Sequence, residues 1–331
     1  MTTPEPVDVD LLIIGAGPTG LFAAYYAGFR GFNTAILDSL PEPGGQITAM
    51  YPEKLIFDVA GFPSVKGQTL VDDLVTQAGQ FNPTYLLEQR AEELERLDDG
   101  SIRIHTHKNL EVRAKAVLIT GGIGTFSPRS LPGAEVFEHK GLRYFVPRLD
   151  ELAGHDTLIV GGGDSAVDWA LSLEPVCKSV TLIHRRDRFR AHEHSVSRMM
   201  SSSVTVLTPY EVAEIHGDAQ GMLSAVTIED KAGGVQKRVD VQSVVAALGF
   251  HADLGPIEKW GLELQKRHIL VDTHLATNVP GVFAAGDIVE YPGKVRLIAV
   301  GFGEAATAVN NAAPVIDPSL KLFPGHSSDV G

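Results

Sequence analysis

Two sets of closely spaced glycines stand out in this sequence, each followed one apolar run later by a charged residue or cluster, acidic in the first case and basic in the second. The first set is Gly15-Ala-Gly17-Pro-Thr-Gly20, between the apolar residues 11–14 and a helical stretch at 21–29. A second apolar run, residues 34–37, ends in Asp38. Strand, glycine turn, helix, strand and terminal acid form the pattern that holds a dinucleotide. Gly15 is expected to allow the tight turn, Gly17 to let the backbone approach a pyrophosphate, and Gly20 to let the helix lie against the strand. The helix N-terminus would attract the phosphates, and Asp38 would accept a hydrogen bond from a ribose hydroxyl.

The second set is Gly161-Gly-Gly163-Asp164-Ser165-Ala166, after apolar residues 157–160 and before a helical stretch at 167–173. The strand that follows, residues 179–183, ends in His184-Arg185-Arg186, and Arg188 and Arg190 bring the arginines to four. An aspartate at the ribose end repels a 2'-phosphate, whereas guanidinium groups bind it with charge-assisted hydrogen bonds. The plainer alternative is a solvated basic loop. Its place after the second strand of a glycine fingerprint favours the phosphate, which the four arginines suit. The acidic end then reads as FAD and the basic end as NADP(H), and the chemistry as hydride transfer between nicotinamide and flavin. Gly161, Gly163, Asp164, Ser165, Ala166, His184, Arg185, Arg186 and Arg190 form the expected NADP(H) set.

Both sets need a strand-and-helix frame, and the chain is long enough for two. It has 331 residues, 44% hydrophobic and 21% charged, ordinary values for a soluble protein. A net charge of -13 argues against broad nucleic-acid binding. The single cysteine, Cys177, rules out a disulfide framework, a paired-cysteine redox centre and a cysteine-built metal site. The N-terminal residues lack an export pattern and no segment is apolar over a bilayer's thickness, so a cytoplasmic location is expected and no membrane partner. His192 and His194 have metal-like spacing without a third ligand and read as solvated helix-start residues.

The apolar strand at 116–120 leads into glycines and prolines at 121–133 that mark a crossing, and residues 244–250 mark the return. The expected architecture is α/β: two Rossmann-like domains, with the NADPH domain (126–249) inserted into an FAD domain made of 1–125 and 250–331. Farther on, an apolar strand ends in Gly286-Asp287 ahead of an alanine-rich helix at 300–313. Asp287 is read either as a cap or as a partner of the flavin's ribityl or phosphate end, with the helix dipole near the flavin.

In order along the chain stand GAGPTG, the GGQI of residues 44–47, TGG, GGGDSA, HRR and AAGD. This succession resembles the low-molecular-weight thioredoxin reductase superfamily over nearly the whole length. That family carries two cysteines shortly before the second glycine loop. Here Phe145 and Arg148 stand in those places, and without thiols the chain cannot reduce a disulfide. The MYPEK of residues 50–54, the DVAGFP of 58–63 and the ending FPGHSSD of 323–329 resemble more closely the cysteine-free branch, the thioredoxin reductase-like ferredoxin-NADP+ reductases.

The resemblance implies that Tyr51 stacks on one face of the flavin and that His326, in the C-terminal extension, covers the other. It implies further FAD contacts from Thr19, Asp38, Gln46, Ala91, Phe126, Asp287, Ser327 and Ser328. It also implies a homodimer in which one subunit's tail covers the other's flavin, and a rotation of the inserted domain about a hinge near Phe126 and Gly249. The activity expected is transfer of hydride between NADP(H) and FAD and of single electrons between FAD and ferredoxin or flavodoxin. The alternatives are a quinone, ferric or dioxygen acceptor on the same fold, or a flavin redox sensor without turnover. Because the chain is acidic, docking of an acidic ferredoxin would need a local basic face, for which Arg129, Arg143, Arg148 and Lys294 are the candidates.

Overall fold

In the computed structural model, the described residues are 5–131, 133–230 and 233–323. Contacts divide the chain into two compact units, Met1–Thr125 with Ala252–Gly331, and Phe126–His251.

The first unit is built on a sheet whose strand order is Thr84–Leu86, Thr34–Leu37, Val7–Ile14, Glu111–Ile119, Ile102–Thr106, Ala91–Arg96, with Val282–Ala284 joining on Glu111–Ile119. The strands around Val7–Ile14 pair in parallel, while Ala91–Arg96 and Ile102–Thr106 form an antiparallel extension. Side-chain alternation along Val7–Ile14 explains why both faces are covered. Leu11 and Ile13 enter one hydrophobic core, with the helices Pro18–Phe29 and Ile298–Ile316, whereas Leu12 and Ile14 enter a second with Ile102, Ile104 and Trp260.

The Pro18–Phe29 helix starts with proline in its first turn, where the missing N–H costs nothing and the ring presets the helical φ. Its buried residues Gly20, Ala23, Ala24 and Ala27 recur at helical spacing, and their small size lets the helix lie close to its neighbours. Gly31, at φ +81°, follows the helix end, a left-handed position that glycine adopts without strain.

The second unit carries an all-parallel five-stranded sheet, ordered Leu142–Arg143, Ser243–Ala246, Asp156–Val160, Ser179–Ile183, Thr205–Leu207. Its fingerprint helix is Asp164–Leu173. Three antiparallel strands, Tyr210–Gly217, Leu223–Asp230 and Gln236–Asp240, pack their apolar residues into the same core. The strands at the two chain crossings, Thr125–Pro128 and Phe250–Asp253, pair with each other.

The elements expected from sequence are present and mostly longer. The first strand begins at Val7, the fingerprint helix at Pro18 and the last helix at Ile298, each earlier than its apolar run suggests.

Candidate functional site

Strand register assembles the first site. Ile14 pairs with both Leu37 and Ile119, and Ile119 with Ala284, so four parallel strands end in one row. The residues that follow them are Gly15, Asp38, Thr120 and Gly286-Asp287, which therefore gather at the carboxyl end of the sheet, where open α/β sheets bind ligands.

The three glycines of the first loop do different work. A side chain at Gly15, with φ +115°, would put its Cβ 2.6 Å from the Thr120 carbonyl oxygen. At Gly20 a Cβ would lie 1.9 Å from the Gly15 carbonyl oxygen, so the helix could not sit on the strand. Gly17 differs: its φ of -70° suits any residue, and nothing lies within 4 Å of a Cβ built there. Neither backbone nor packing requires glycine at 17, and the space beside it is open. It is also the N-cap of the Pro18–Phe29 helix, and no side chain caps those first N–H groups.

Asp38 holds this loop in shape. Its Oδ2 accepts the Ala16 N–H at 2.6 Å and its Oδ1 the Leu40 N–H at 2.9 Å. Burial raises its pKa, against the pull of these backbone donors. The carboxylate keeps lone pairs free for a further donor. The segment leading to Ala91 runs alongside, with the Gln89 N–H donating to the Asp38 carbonyl at 2.8 Å. Ala91 itself is buried at the start of its strand.

Gly44 and Gly45, both at positive φ, bring the next segment against the loop, the Gly44 N–H donating to the Ala16 carbonyl at 2.8 Å. Gln46 then opens a short helix, and its amide nitrogen lies 3.1 Å from where a Gly122 Cβ would stand. Tyr51 caps that helix. Its phenol is pushed up to about 12, chiefly by burial and then by the charges of Asp287 and Asp58, and Lys54 Nζ lies 5.5 Å from its ring centre. Residues 51 and 287, distant in sequence, are thus brought together. Asp287 is not a helix cap, since the last helix begins at Ile298 with Leu297 as N-cap. Burial raises its pKa, with Lys294 and Arg296 opposing.

Thr19 is wedged where three segments meet. Its Oγ1 would lie 3.0 Å from a Cβ on Gly286 and 2.4 Å from one on Gly301. Sequence reasoning missed the residue behind this junction, Glu304. Only 5% exposed, it accepts hydrogen bonds from the Gly286 N–H at 2.7 Å, the Tyr291 hydroxyl at 2.6 Å and Lys294 Nζ. The signal was available: Glu304 falls on the buried stripe of its helix with Gly301, Ala305 and Ala308, where a charge demands a partner.

The second site repeats the construction. Val160 pairs with Ile183 and Ala246, and Ile183 with Leu207, so the loop at 161–166, His184 and Ala247 share one edge. A Cβ on Gly161 would meet the Ala247 carbonyl oxygen at 2.4 Å. Ala166, buried, takes the place of the third glycine. Gly163, like Gly17, is an N-cap with φ -98°, no side-chain cap and nothing within 4 Å of a built Cβ. Asp164 and Ser165 are exposed, and Asp164 accepts the His192 N–H at 2.9 Å, which ties the loop to the Glu193–Met200 helix.

The His184 ring lies on Gly162, where a Cβ would come within 2.3 Å of it, so the loop's middle glycine is there for the histidine. Its buried Nε2 has no partner among the described residues, and burial lowers its pKa, helped by the charges of Arg185, Arg186 and Arg190. None of the four guanidinium groups at 185–190 forms an ion pair among the described residues, in a chain with 41 acidic residues. Arg186, Arg188 and Arg190 line a cleft of about 830 Å³ with Phe189 and the Glu193–Met200 helix. The residues at both loops fit dinucleotides: open second glycines, uncapped helix ends, and opposite charge at the two ribose ends.

Four expected site residues are not placed by these observations. His326, Ser327 and Ser328 lie outside the described residues, as does the side chain of Phe126. One expectation is corrected. Lys294 cannot form part of a basic docking face, because its side chain is 0% exposed and paired with Glu304. Arg143 and Arg148 are neutralised by Glu151 at 2.6 Å and Asp150 at 2.7 Å, while Arg129 is exposed. His192 and His194 lie at the exposed start of a helix, and the described residues hold no group of three metal-ligating side chains. No helix among them is long and apolar enough to cross a membrane.

The model of the pyridine nucleotide-disulphide oxidoreductase family matches residues 9–312. A ferredoxin–NADP reductase of Nocardioides sp. is 60% identical, covering 99% of each chain, and one of Frankia casuarinae is 59% identical over 97% of this chain and 99% of its own. The crystal structure of Lactococcus lactis thioredoxin reductase superposes with a TM-score of 0.80 at 27% identity, over 93% of this chain and 99% of that one. The chain belongs to the pyridine nucleotide-disulphide oxidoreductase family and, within it, to the ferredoxin–NADP reductases of the thioredoxin reductase-like type.

Proposed function

We propose that this chain is an FAD-dependent oxidoreductase that moves hydride between NADP(H) and FAD and single electrons between FAD and a ferredoxin. The observation that carries this reading is the pair of dinucleotide loops of opposite ribose-end charge in a chain without a redox dithiol. Cys177 is half-buried, lies 3.3 Å from Thr157 Oγ1, and burial raises its pKa, so it is a packed thiol rather than a thiolate. With no thiol relay, electrons leave from the flavin itself.

FAD belongs to the unit of residues 1–125 and 250–331, and NADP(H) to the inserted residues 126–249. On the FAD side Gly15, Gly17 and Gly20 admit the pyrophosphate to the helix end, and Asp38 takes the adenosine ribose beside the backbone at Ala91. Thr19, Gln46 and Asp287 orient the ribityl and flavin end, and Tyr51 lies against the ring as a neutral phenol. On the NADP(H) side the loop at 161–166 takes the pyrophosphate, and Arg185, Arg186 and Arg190 take the 2'-phosphate, with His184 packed between them and the loop. Bound FAD supplies the exchange between a two-electron donor and one-electron acceptors. The protein's part is to bind, orient and shield, and no side chain acts as an essential acid or base. Phe126, His326, Ser327 and Ser328 complete the proposed FAD contacts.

Flavodoxin is a second acceptor of the same kind, and a cytoplasmic location suits both partners. A homodimer fits the apolar surface of the FAD unit, where Phe29, Phe81, Leu322 and Phe323 are each at least 40% exposed. The test is anaerobic. NADPH should bleach the flavin spectrum, and ferredoxin should then support fast reduction of a linked cytochrome. Bleaching without ferredoxin turnover would move the function to another acceptor or to sensing.

A further inference from the structure

Lys294 and Glu304 form a fully enclosed ion pair, with side chains 0% and 5% exposed, and Glu304 holds the Gly286 N–H at the Gly286-Asp287 turn. Such a pair is a poor source of stability, because the desolvation of both charges offsets their attraction, and apolar side chains of similar volume often do as well. Its geometry suits another purpose. Glu304 Oε2 accepts the Gly286 N–H, while its Oε1 accepts from Tyr291 and Lys294, so the carboxylate cannot rotate without losing three donors. Gly286 has φ +85°, and Thr19 Oγ1 bounds it closely, so the turn is pinned from two sides. Lys294 Nζ also lies 5.6 Å from the Tyr291 ring centre, which fixes the segment between the partners. The charges facing Asp287 are Lys294, Arg296, Glu304 and His268, with Tyr51 beside it.

We propose that Lys294 and Glu304 are positioning residues for FAD: by holding the Gly286 N–H, the buried pair fixes the Ala285–Gly286 peptide, and with it the direction in which the chain enters Asp287, before FAD arrives. This rests on the assignment of FAD to this site. The pair touches the turn and not the reacting atoms, so it acts by preorganisation.

The test measures FAD affinity of the deflavinated full-length protein by flavin fluorescence quenching, together with its Tm. The double substitution Lys294→Met/Glu304→Leu replaces the pair by apolar side chains. We expect its apoprotein to fold with a Tm within a few degrees of the wild type, since relief from burying two charges offsets the two donors left without an acceptor, and its FAD Kd to rise about tenfold or more, as the Gly286 N–H loses its acceptor. Lys294→Met/Glu304→Gln removes both charges but keeps an acceptor, and its Kd should return to within about threefold of the wild type. The KM for NADPH, bound by the other unit, should stay unchanged in both. Wild-type FAD affinity in the apolar variant would overturn the proposal, as would failure of the glutamine variant to restore affinity at wild-type Tm. Should the apolar variant not fold, Glu304→Ala against the glutamine variant makes the same comparison. Wild-type protein that does not bind FAD would instead overturn the assignment of the cofactor.

Discussion

Replacing Arg185 and Arg186 by alanine tests the assignment of the two nucleotides most directly. Both guanidinium groups are exposed and make no ion pair among the described residues, so their removal strands no protein carboxylate and should leave stability within about 0.5 kcal/mol. A hydrogen bond to a charged group contributes about 1.5–3 kcal/mol, and exposure places these at the lower end. Two contacts at about 1.5 kcal/mol give about 3 kcal/mol, roughly 150-fold in kcat/KM for NADPH, because each 1.4 kcal/mol is tenfold. NADH lacks the 2'-phosphate, and its kcat/KM should change by less than about threefold. Steady-state assays with each nucleotide, at fixed ferredoxin and low salt, give the ratio. Raising the salt should erode the wild-type preference toward that of the variant, since exposed charges are screened over about 10 Å at 0.1 M. Equal losses for the two nucleotides would refute the reasoning and return the arginines to the status of a solvated loop.

Three other outcomes follow from the geometry. Gly163→Ala meets no protein atom and keeps an ordinary φ, so Tm should move by no more than about 2 °C while KM for NADPH rises about tenfold or more. Asp287→Asn bears on a carboxyl whose folded pKa lies above its unfolded value of 3.8. Its contribution to folding is fully present below that value and is lost as pH rises through the raised one, so at neutral pH the charge is a net cost to the apoprotein. Differential scanning at pH 7 should show a higher apoprotein Tm for the variant, and fluorescence titration a weaker affinity for FAD. For Tyr51 the same sign applies at the alkaline end: stability is lost as pH climbs from 10 toward about 12, and Tyr51→Phe should flatten the fall of Tm over that window.

The two nucleotide loops were legible because each is a local pattern: apolar run, glycines, helix and terminal charge follow one another in sequence, and parallel register carries them to one edge. The unequal demands on Gly15 and Gly17 follow from their places in the fingerprint, and φ and surroundings differ accordingly. The antiparallel strands over 210–240 were not anticipated. Their exposed faces are polar and their core residues few, so no segment there carries a strong period of its own. The junction at Thr19 was hidden for a different reason. Glu304, Lys294, Tyr291 and Gly286 meet only after a helix folds back on the strand that precedes it, and nothing in a lysine's neighbours in sequence announces that it will be buried. The expected basic docking face lost Lys294 on the same point, because charge read from sequence does not show which groups the fold has buried and paired.

At 145 and 148, the positions where the resemblance to thioredoxin reductases would put a cysteine pair, the side chains have other partners. Phe145 stacks on Phe250 with ring centres 5.1 Å apart and planes within 7°, and Arg148 pairs with Asp150. Both positions therefore serve packing and surface charge, inside the inserted unit. Phe250 opens the strand by which the chain leaves that unit, so the stack ties the exit segment to the body. A thiol pair needs an accessible, electropositive setting to form a thiolate, and a phenyl in an offset stack offers no charge. Restoring cysteines at 145 and 148 alone would accordingly not restore disulfide reduction: it would remove the stack and release Asp150 without supplying the surroundings that make a thiol reactive. The phenylalanine stack and the surface ion pair thus occupy 145 and 148 with packing and charge rather than redox chemistry, in keeping with the proposed delivery of electrons from the flavin itself.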